Sequence, residues 1–186
     1  TRSRCVMRGY WDNAEATGAA IDGAGWLHTG DQVRVDEHGH LHIAGRIKDI
    51  IVMSNGEKVP PGDLECAIAL DPLFEQAMIA GEGKPGLAAV VSLSLEHWQA
   101  WCAEHKLDAA RADTVADSRV NRMLLARLAA RLGDFPGYAQ IRRAHFTPEQ
   151  WTVENGLLTP TMKIKRTKVA ERYAKEIDSL FRSLAA

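Results

Sequence analysis

The stretch that most constrains this chain runs from Gly45 to Glu65, G-R-I-K-D-I-I-V-M-S-N-G-E-K-V-P-P-G-D-L-E. Arg46, Lys48 and Asp49 precede a β-branched run, Ile50, Ile51 and Val52, which reads as a short buried strand because branched side chains suit an extended, packed backbone. Ser54-Asn55-Gly56 then turns the chain, since Asn and Gly both tolerate positive φ. Pro60-Pro61 presets φ for a first helical turn, with Asp63 and Glu65 near its positive end. The expectation is a hairpin whose tip runs directly into a helix.

The flanking text has its own periods. Thr1 to about Gly25 is thin in apolar residues and punctuated by Gly9, Asp12-Asn13, Thr17-Gly18 and Asp22-Gly23, which predicts turns and irregular chain, poorly tied down. Val33 and Val35, then Leu41 and Ile43, alternate around Asp36-Glu37-His38-Gly39, a β-hairpin pattern. His38, His40 and His42 alternate as well; two histidines on one strand face can hold a metal, but with no third ligand type converging the plain reading is a polar face opposite Leu41 and Ile43. Leu64, Ala67 and Ile68 keep helical spacing until Asp71-Pro72. Ala77–Ala80 and Leu87–Leu93 read as a buried hairpin around Gly81-Glu82-Gly83-Lys84-Pro85-Gly86, whose Gly-x-Gly opens no helix and so reads as a loop and not a phosphate cradle. A short helix over Glu96–Leu107, a mobile polar loop over Asp108–Asp117 and a helix capped by Ser118 follow, the last with Val120, Leu124, Leu128 and Leu132 on one face and Gly133 as its stop. Ile141–Phe146 suggests a third strand. A final amphipathic helix from about Thr167 places Val169, Tyr173, Ile177, Leu180 and Leu184 on one stripe; Glu171, Glu176 and Asp178 dilute its basic residues, so it reads as packed and not as lying on a membrane. The fold class is therefore α+β: a small three-stranded sheet flanked by helices, plus a two-stranded hairpin, over residues 46–186, preceded by an incomplete β-rich piece over residues 1–45.

Charge and cysteine usage narrow the function classes. The 186 residues carry a formal net charge of −1, which gives no electrostatic footprint for nucleic acid. No apolar run approaches the roughly 20 residues that span a bilayer, and Thr1–Tyr10 lacks the apolar core of a signal peptide. Cys5, Cys66 and Cys102 are widely spaced and odd in number, which fits reduced thiols in a cytoplasmic protein, with at most a peripheral place at a membrane.

Three ordered segments converge on one resemblance. Gly25-Trp26-Leu27-His28-Thr29-Gly30-Asp31, the Gly45–Glu65 stretch and Leu158-Thr159-Pro160-Thr161-Met162-Lys163-Ile164-Lys165-Arg166 together resemble the motifs of the adenylate-forming superfamily, nearest to long-chain fatty acyl-CoA synthetases. Val6-Met7-Arg8-Gly9-Tyr10-Trp11 resembles a segment that complete members carry late in a large N-terminal domain. The resemblance, with no initiator Met at Thr1, implies a C-terminal piece of a longer chain.

What the resemblance implies is an ATP-dependent acid–thiol ligase using ATP, Mg2+ and CoA on a carboxylic acid, a long-chain fatty acid by the flavour of Lys48 and Met162. Lys163 aligns with the catalytic lysine that contacts the acyl carboxylate and the bridging region of ATP, where a mobile ammonium suits a developing double anion. On charge alone, Lys163, Lys165 and Arg166 are equally a solvated basic cluster. Asp31 aligns with the aspartate that accepts hydrogen bonds from both ribose hydroxyls, against the plain reading of a turn Asp. Arg46 is placed near ribose and phosphate, against a surface pair with Asp49. Lys48 falls on the hinge, where many members have Asp. Gly56 and Glu57 match the hairpin lining the pantetheine tunnel, which only glycine lets a narrow arm approach closely. Thr161-Met162 departs from the more frequent Ser-Gly before the lysine. The phosphate-gripping loop, the acyl tunnel, the Mg2+ site and most ATP contacts belong to the family's N-terminal domain, so the partner of this chain is that domain and the piece alone is expected to be inactive. Two alternatives stand: loading of a carrier-protein phosphopantetheine, and a non-catalytic lid-like binding module.

Overall fold

Asn13 opens the first element, its side-chain oxygen accepting from the Ala16 N–H at 2.9 Å to cap α1, Ala14–Ala20. In the computed structural model, residues 1–111 and 113–182 are described, the side chain of residue 44 excepted, and they fall into two compact units, Thr1–Asp49 and Ile50–Ala186.

In the first unit the expectation of irregular chain up to Gly25 misses α1, and the segment is better tied than its composition suggests. The Thr1 ammonium donates to the Leu27 carbonyl at 2.9 Å, the Leu27 N–H to the Thr1 carbonyl at 2.7 Å, and the Tyr10 N–H to Thr17 Oγ1 at 2.9 Å. The expected hairpin follows as β1, Asp31–Val35, antiparallel to β2, Leu41–Arg46, with Val33 opposite Ile43 and Val35 opposite Leu41. The histidines are exposed, as a polar face requires, and Asp36 organises them. Asp36 accepts from the His38 and His40 N–H groups at 2.9 Å each, and its carboxylate sits 2.9 Å from His42 Nε2 and 3.1 Å from His40 Nδ1. The His42 contact is the main reason its carboxyl lies below the usual carboxylate range. Among the described residues no group of three or more His, Cys, Asp or Glu is arranged to hold a metal ion. Leu41 and Ile43 are themselves exposed in this unit.

The second unit begins with β3, Ile51–Val52, paired antiparallel to β4, Lys58–Val59, and the chain enters α2, Pro61–Ala69, with Pro at the first helical position. Next come β5, Phe74–Ala80, and β6, Leu87–Leu93, then α3, Leu95–Glu104, α4, Ser118–Arg131, and β7, Ile141–Thr147. Sheet order is β5-β6-β7, with β5 antiparallel and β7 parallel to the central β6. A parallel pair needs a long crossover, and α3 and α4 supply it. The cap of α4 is Asp117, whose Oδ1 accepts from the Arg119 and Val120 N–H groups at 2.8 and 3.1 Å; Ser118 is the first helical residue. The polar Asp108–Asp117 loop, residue 112 outside the described set, is tied by Thr114 Oγ1 donating to the Asp108 carbonyl at 2.6 Å.

All seven residues of β6 are buried because the sheet is covered on both faces. Ala77, Ile79, Ala89 and Val91 pack in one cluster with Leu64 and Ile68 of α2 and Val120, Leu124 and Leu128 of α4. Their strand neighbours Met78 and Val90 point the other way, into a second cluster with Trp151, Leu157, Leu158, Val169 and Tyr173. The Gly81–Gly86 loop is the expected hairpin turn. A Cβ at Gly81 would lie 2.6 Å from Leu87 Cδ2 and 3.1 Å from the Gly86 carbonyl, so close packing explains that glycine.

The single C-terminal helix expected from Thr167 is two: α5, Arg166–Arg172, and α6, Ala174–Arg182, broken at Tyr173, which leaves helical geometry at φ −109°, ψ 26°. Its hydroxyl explains the break, being drawn into bonds with Trp151 and Glu149. Of the predicted stripe, Val169 and Tyr173 are buried; Leu184 lies outside the described residues, and Phe181, which the spacing omits, is buried instead. Among the described residues no helix is long and apolar enough to cross a membrane.

Candidate functional site

Asp31 and Arg46 are brought together by the β1–β2 register, which sets them opposite each other at the strand ends. Arg46 Nε lies 2.9 Å from Asp31 Oδ1, so the partner of Arg46 is Asp31 and not Asp49. The turn into β1 passes through Gly30 at φ +75°, and the Asp31 N–H donates to Thr29 Oγ1 at 3.3 Å. With Oδ1 engaged, the Asp31 carboxylate keeps Oδ2 as an acceptor, and the guanidinium keeps its terminal N–H groups as donors. That set matches a vicinal diol beside a phosphate. Lys48 lies in a 3-10 turn, Ile47–Asp49, that ends the first unit.

In the second unit, Gly56 and Glu57 form the tip between β3 and β4. The Gly56 N–H donates to the Met53 carbonyl and the Met53 N–H to the Glu57 carbonyl, both at 2.9 Å. Of the Asn55-Gly56 pair, only Gly56 takes positive φ, at +84°. A Cβ at Gly56 would meet nothing within 4 Å, so the tip faces open space. The hairpin is not floppy. The Ser54 N–H donates to the Lys84 carbonyl at 2.9 Å, the Gly83 N–H to the Val52 carbonyl at 2.8 Å, and the Val52 N–H to Glu82 Oε2 at 2.9 Å, fixing it on the β5–β6 loop. Beside the tip is a groove of about 260 Å³ lined by Met53, Asn55, Tyr138, Gln140 and Arg142 among others. Gln140 is committed to the Leu132 and Phe135 carbonyls, and the exposed Asn55, Tyr138 and Arg142 form the polar rim.

Lys163 is exposed on a tight turn. Thr159 organises it: its N–H donates to the Lys163 carbonyl at 2.8 Å, its carbonyl accepts from the Met162 N–H at 2.8 Å, and its Oγ1 accepts from the Lys163 N–H at 3.0 Å. Met162 sits at φ +61°, a conformation that costs a non-glycine residue roughly 1–2 kcal/mol and that glycine takes freely, which accounts physically for the glycine more frequent in the resembling family. Leu158 bridges Ile164, and the Lys165 N–H donates to the Leu157 carbonyl at 2.9 Å, so the turn stands on a short ladder. Among the described residues none pairs with the Lys163 ammonium. Arg166 does not share its freedom, being paired with Glu65, and the backbone of Lys165 occupies the N-cap position of α5.

Both ends of this segment are anchored through one network. Trp151 Nε1 donates to the Tyr173 hydroxyl at 3.1 Å, that hydroxyl donates to Glu149 Oε2 at 2.7 Å, and Arg172 Nη2 donates to Glu149 Oε1 at 3.0 Å. Burial and then the Glu149 contact push the Tyr173 phenol up to about 12, so it stays a donor. Burial works against ionisation of Glu149, yet the Tyr173 and Arg172 bonds outweigh it and lower that carboxyl.

The family model described as AMP-binding enzyme C-terminal domain matches residues 48–185. The chain belongs to this family. A long-chain-fatty-acid–CoA ligase of Mycobacterium tuberculosis is 36% identical over 184 residues, covering 97% of this chain and 30% of the relative. The adenylation domain of a carboxylate reductase from Mycobacterium chelonae superposes with TM-score 0.83 at 25% identity, over 97% of this chain and 27% of that one. The A-PCP didomain of a carboxylic acid reductase from Segniliparus rugosus, in complex with AMP, superposes with TM-score 0.78 at 26% identity, over 99% and 24%. The chain thus spans about 30% of the length of the curated relatives it matches.

Within this AMP-binding C-terminal domain, sequence reasoning missed three things. The Tyr138–Arg142 groove carries no local motif. The Glu149–Tyr173 network joins residues 24 apart, though a buried-spaced Tyr on a helix stripe was its visible trace. Glu65 reads as an acid placed for the helix dipole, yet its carboxylate reaches the Ile79 N–H at 2.9 Å and Arg166.

Proposed function

We propose that this chain is the C-terminal portion of an ATP-dependent acyl-CoA ligase that joins a carboxylic acid, long-chain and fatty by its relatives, to CoA through an acyl-adenylate. The observation that carries the reading is Lys163: an unpaired ammonium on a hydrogen-bonded turn, within a family member whose relatives include named fatty-acid–CoA ligases. In the first step a carboxylate oxygen attacks the α-phosphorus of ATP, forming the acyl–phosphate bond as pyrophosphate leaves. Two anions must meet, and a mobile cation presented there offsets their repulsion. Asp31 and Arg46, already paired, fit the ribose diol and adjacent phosphate. In the second step the CoA thiol displaces AMP. The Gly56–Glu57 tip, open on its outer side, leaves room for a pantetheine arm, and the Tyr138 ring and Arg142 guanidinium beside it suit the nucleotide end of CoA. Lys48, at the junction of the two units, serves as the hinge through which one domain presents first the lysine and then the hairpin. The family's large N-terminal domain is the partner that supplies the acyl pocket. Mg2+ accompanies ATP in such chemistry, and among the described residues no group of three or more His, Cys, Asp or Glu is placed to hold it.

The likeness to an A-PCP didomain favours a second reading, in which the acceptor is a carrier-protein phosphopantetheine. The test supplies the full-length enzyme with ATP, a fatty acid and either CoA or a phosphopantetheinylated carrier. AMP, pyrophosphate and acyl-CoA as products support the first reading, acylated carrier alone supports the second, and no acid-dependent pyrophosphate release overturns both in favour of a binding module.

A further inference from the structure

We infer that Glu65 is a positioning residue for Lys163, acting through Arg166. This rests on the ligase reading and adds to it a role, 98 residues away in sequence from Lys163, that the resemblance does not give to Glu65. Glu65 lies on α2, the helix that the hairpin runs into. Its two carboxylate oxygens hold two separate elements: Oε1 accepts from the Ile79 N–H of edge strand β5 at 2.9 Å, and Oε2 accepts from Arg166 Nη2 at 2.5 Å. Its side chain is only 14% exposed and that of Arg166 30%, so the pair is shielded from the water that makes surface ion pairs weak.

Arg166 is the first residue of α5, and two residues of chain, three Cα steps or at most about 10 Å, separate it from Lys163. That short path has no slack. Ile164 is bridged to Leu158, the Lys165 N–H is bonded to the Leu157 carbonyl, and the Val169 N–H closes the first helical turn on the Lys165 carbonyl at 3.0 Å. Where the first turn of α5 sits therefore decides where the Lys163 turn sits. The helix has no side-chain cap of its own at Lys165, so Glu65 supplies the fixed point from outside. Releasing it lets the lysine drift relative to a reacting centre that tolerates little error, and a displacement of about 1 Å costs on the order of 100-fold in rate.

The experiment measures, in the full-length enzyme, acid-dependent pyrophosphate exchange and, separately, thioester formation from supplied acyl-adenylate and CoA. Glu65→Gln is expected to lower the kcat of exchange by about 10- to 100-fold with the KM for ATP unchanged, and to leave the thioester step within about threefold. Arg166→Met is expected to give the same pattern, and Arg166→Lys, which keeps the charge, to recover part of the loss; should Glu65→Gln not fold, Arg166→Met carries the test alone. Because the effect runs through the lysine, Glu65→Gln is expected to add nothing to Lys163→Ala. Equal loss of both half-reactions, a further loss on top of Lys163→Ala, or undiminished exchange would each overturn the assignment. Lys163→Ala by itself separates the two levels: if it spares exchange, the ligase reading of this turn fails, whereas if it abolishes exchange and Glu65→Gln does not, the positioning role alone fails.

Discussion

Substituting Gly56 separates what the hairpin needs for folding from what it leaves open for a ligand. The residue sits at φ +84°, and an added Cβ meets no atom within 4 Å. Alanine there costs backbone strain of roughly 1–2 kcal/mol, from which about 0.5–1 kcal/mol is regained by restricting the unfolded chain, leaving a net loss of about 1 kcal/mol. For a unit of this size that is a fall of about 3–4 °C in Tm, readable by thermal melting of the chain. Asparagine tolerates the left-handed region better, so Gly56→Asn is expected to melt closer to the natural protein while placing a larger side chain on the outer face of the tip. In the full-length enzyme Gly56→Asn should then keep pyrophosphate exchange and lose thioester formation by about 10-fold or more, since nothing but an incoming arm meets the new side chain. Unchanged thioester formation in Gly56→Asn would refute the assignment of the tip to the second step, and a loss of Tm several times larger than worked out here would refute the claim that the outer face is empty.

Two further outcomes concern stability. Asp71, buried at the end of α2, is gripped by Arg127 at 2.7 and 2.9 Å and accepts from the Leu73 N–H at 3.0 Å. Burial raises its carboxyl, but the Arg127 bonds and the charges of Arg127 and Arg131 win and hold it below the usual range. Arg127→Met should cost about 2 kcal/mol at neutral pH, less than a fully buried pair because Arg127 is partly exposed and Arg131 remains near. A carboxyl depressed by folding contributes stability above its unfolded value near 4 and loses it as pH falls through the folded value, so the gap between Arg127→Met and the natural chain should shrink below about pH 4 in denaturant titrations. His145, beside the Tyr173 ring, is pushed down by burial despite the opposing charge of Glu176. Its contribution is complete above about pH 6.5 and is lost as pH falls through the lowered folded value, so His145→Gln, which cannot charge, should lose less Tm between pH 7.5 and 5.5 than the natural chain. Parallel curves would remove His145 from the acid response.

The α+β architecture was legible because its signals are local. The alternation of Val33, Val35, Leu41 and Ile43 follows from the two-residue period of a strand, and the unbroken run at Leu87 and the four-residue stripe of α4 follow from which faces must be covered. The losses arose where tertiary partners override local preference. Tyr173 breaks a helix whose stripe runs on because its hydroxyl is claimed by residues of the preceding loop. Asp117 outcompetes Ser118 as cap by one position, a margin that composition does not resolve. Lys163, Asp31 and Arg46 stood out as motif residues, but the Asp31–Arg46 pairing required strand register, and the Glu65–Arg166 clamp joins residues 101 apart that no periodicity connects.

The central claim, that this domain presents Lys163 to the adenylation step and the hairpin to the thioester step, is tested most directly by Lys163→Ala in the full-length enzyme with both half-reactions measured. Removing a positioned cation from a developing double anion should slow acid-dependent pyrophosphate exchange by about 100- to 1,000-fold, some 2.7–4 kcal/mol of barrier. Transfer from supplied acyl-adenylate to CoA should stay within about threefold. A loss in exchange of less than about 10-fold, 1.4 kcal/mol, or an equal fall in both steps, would contradict the account.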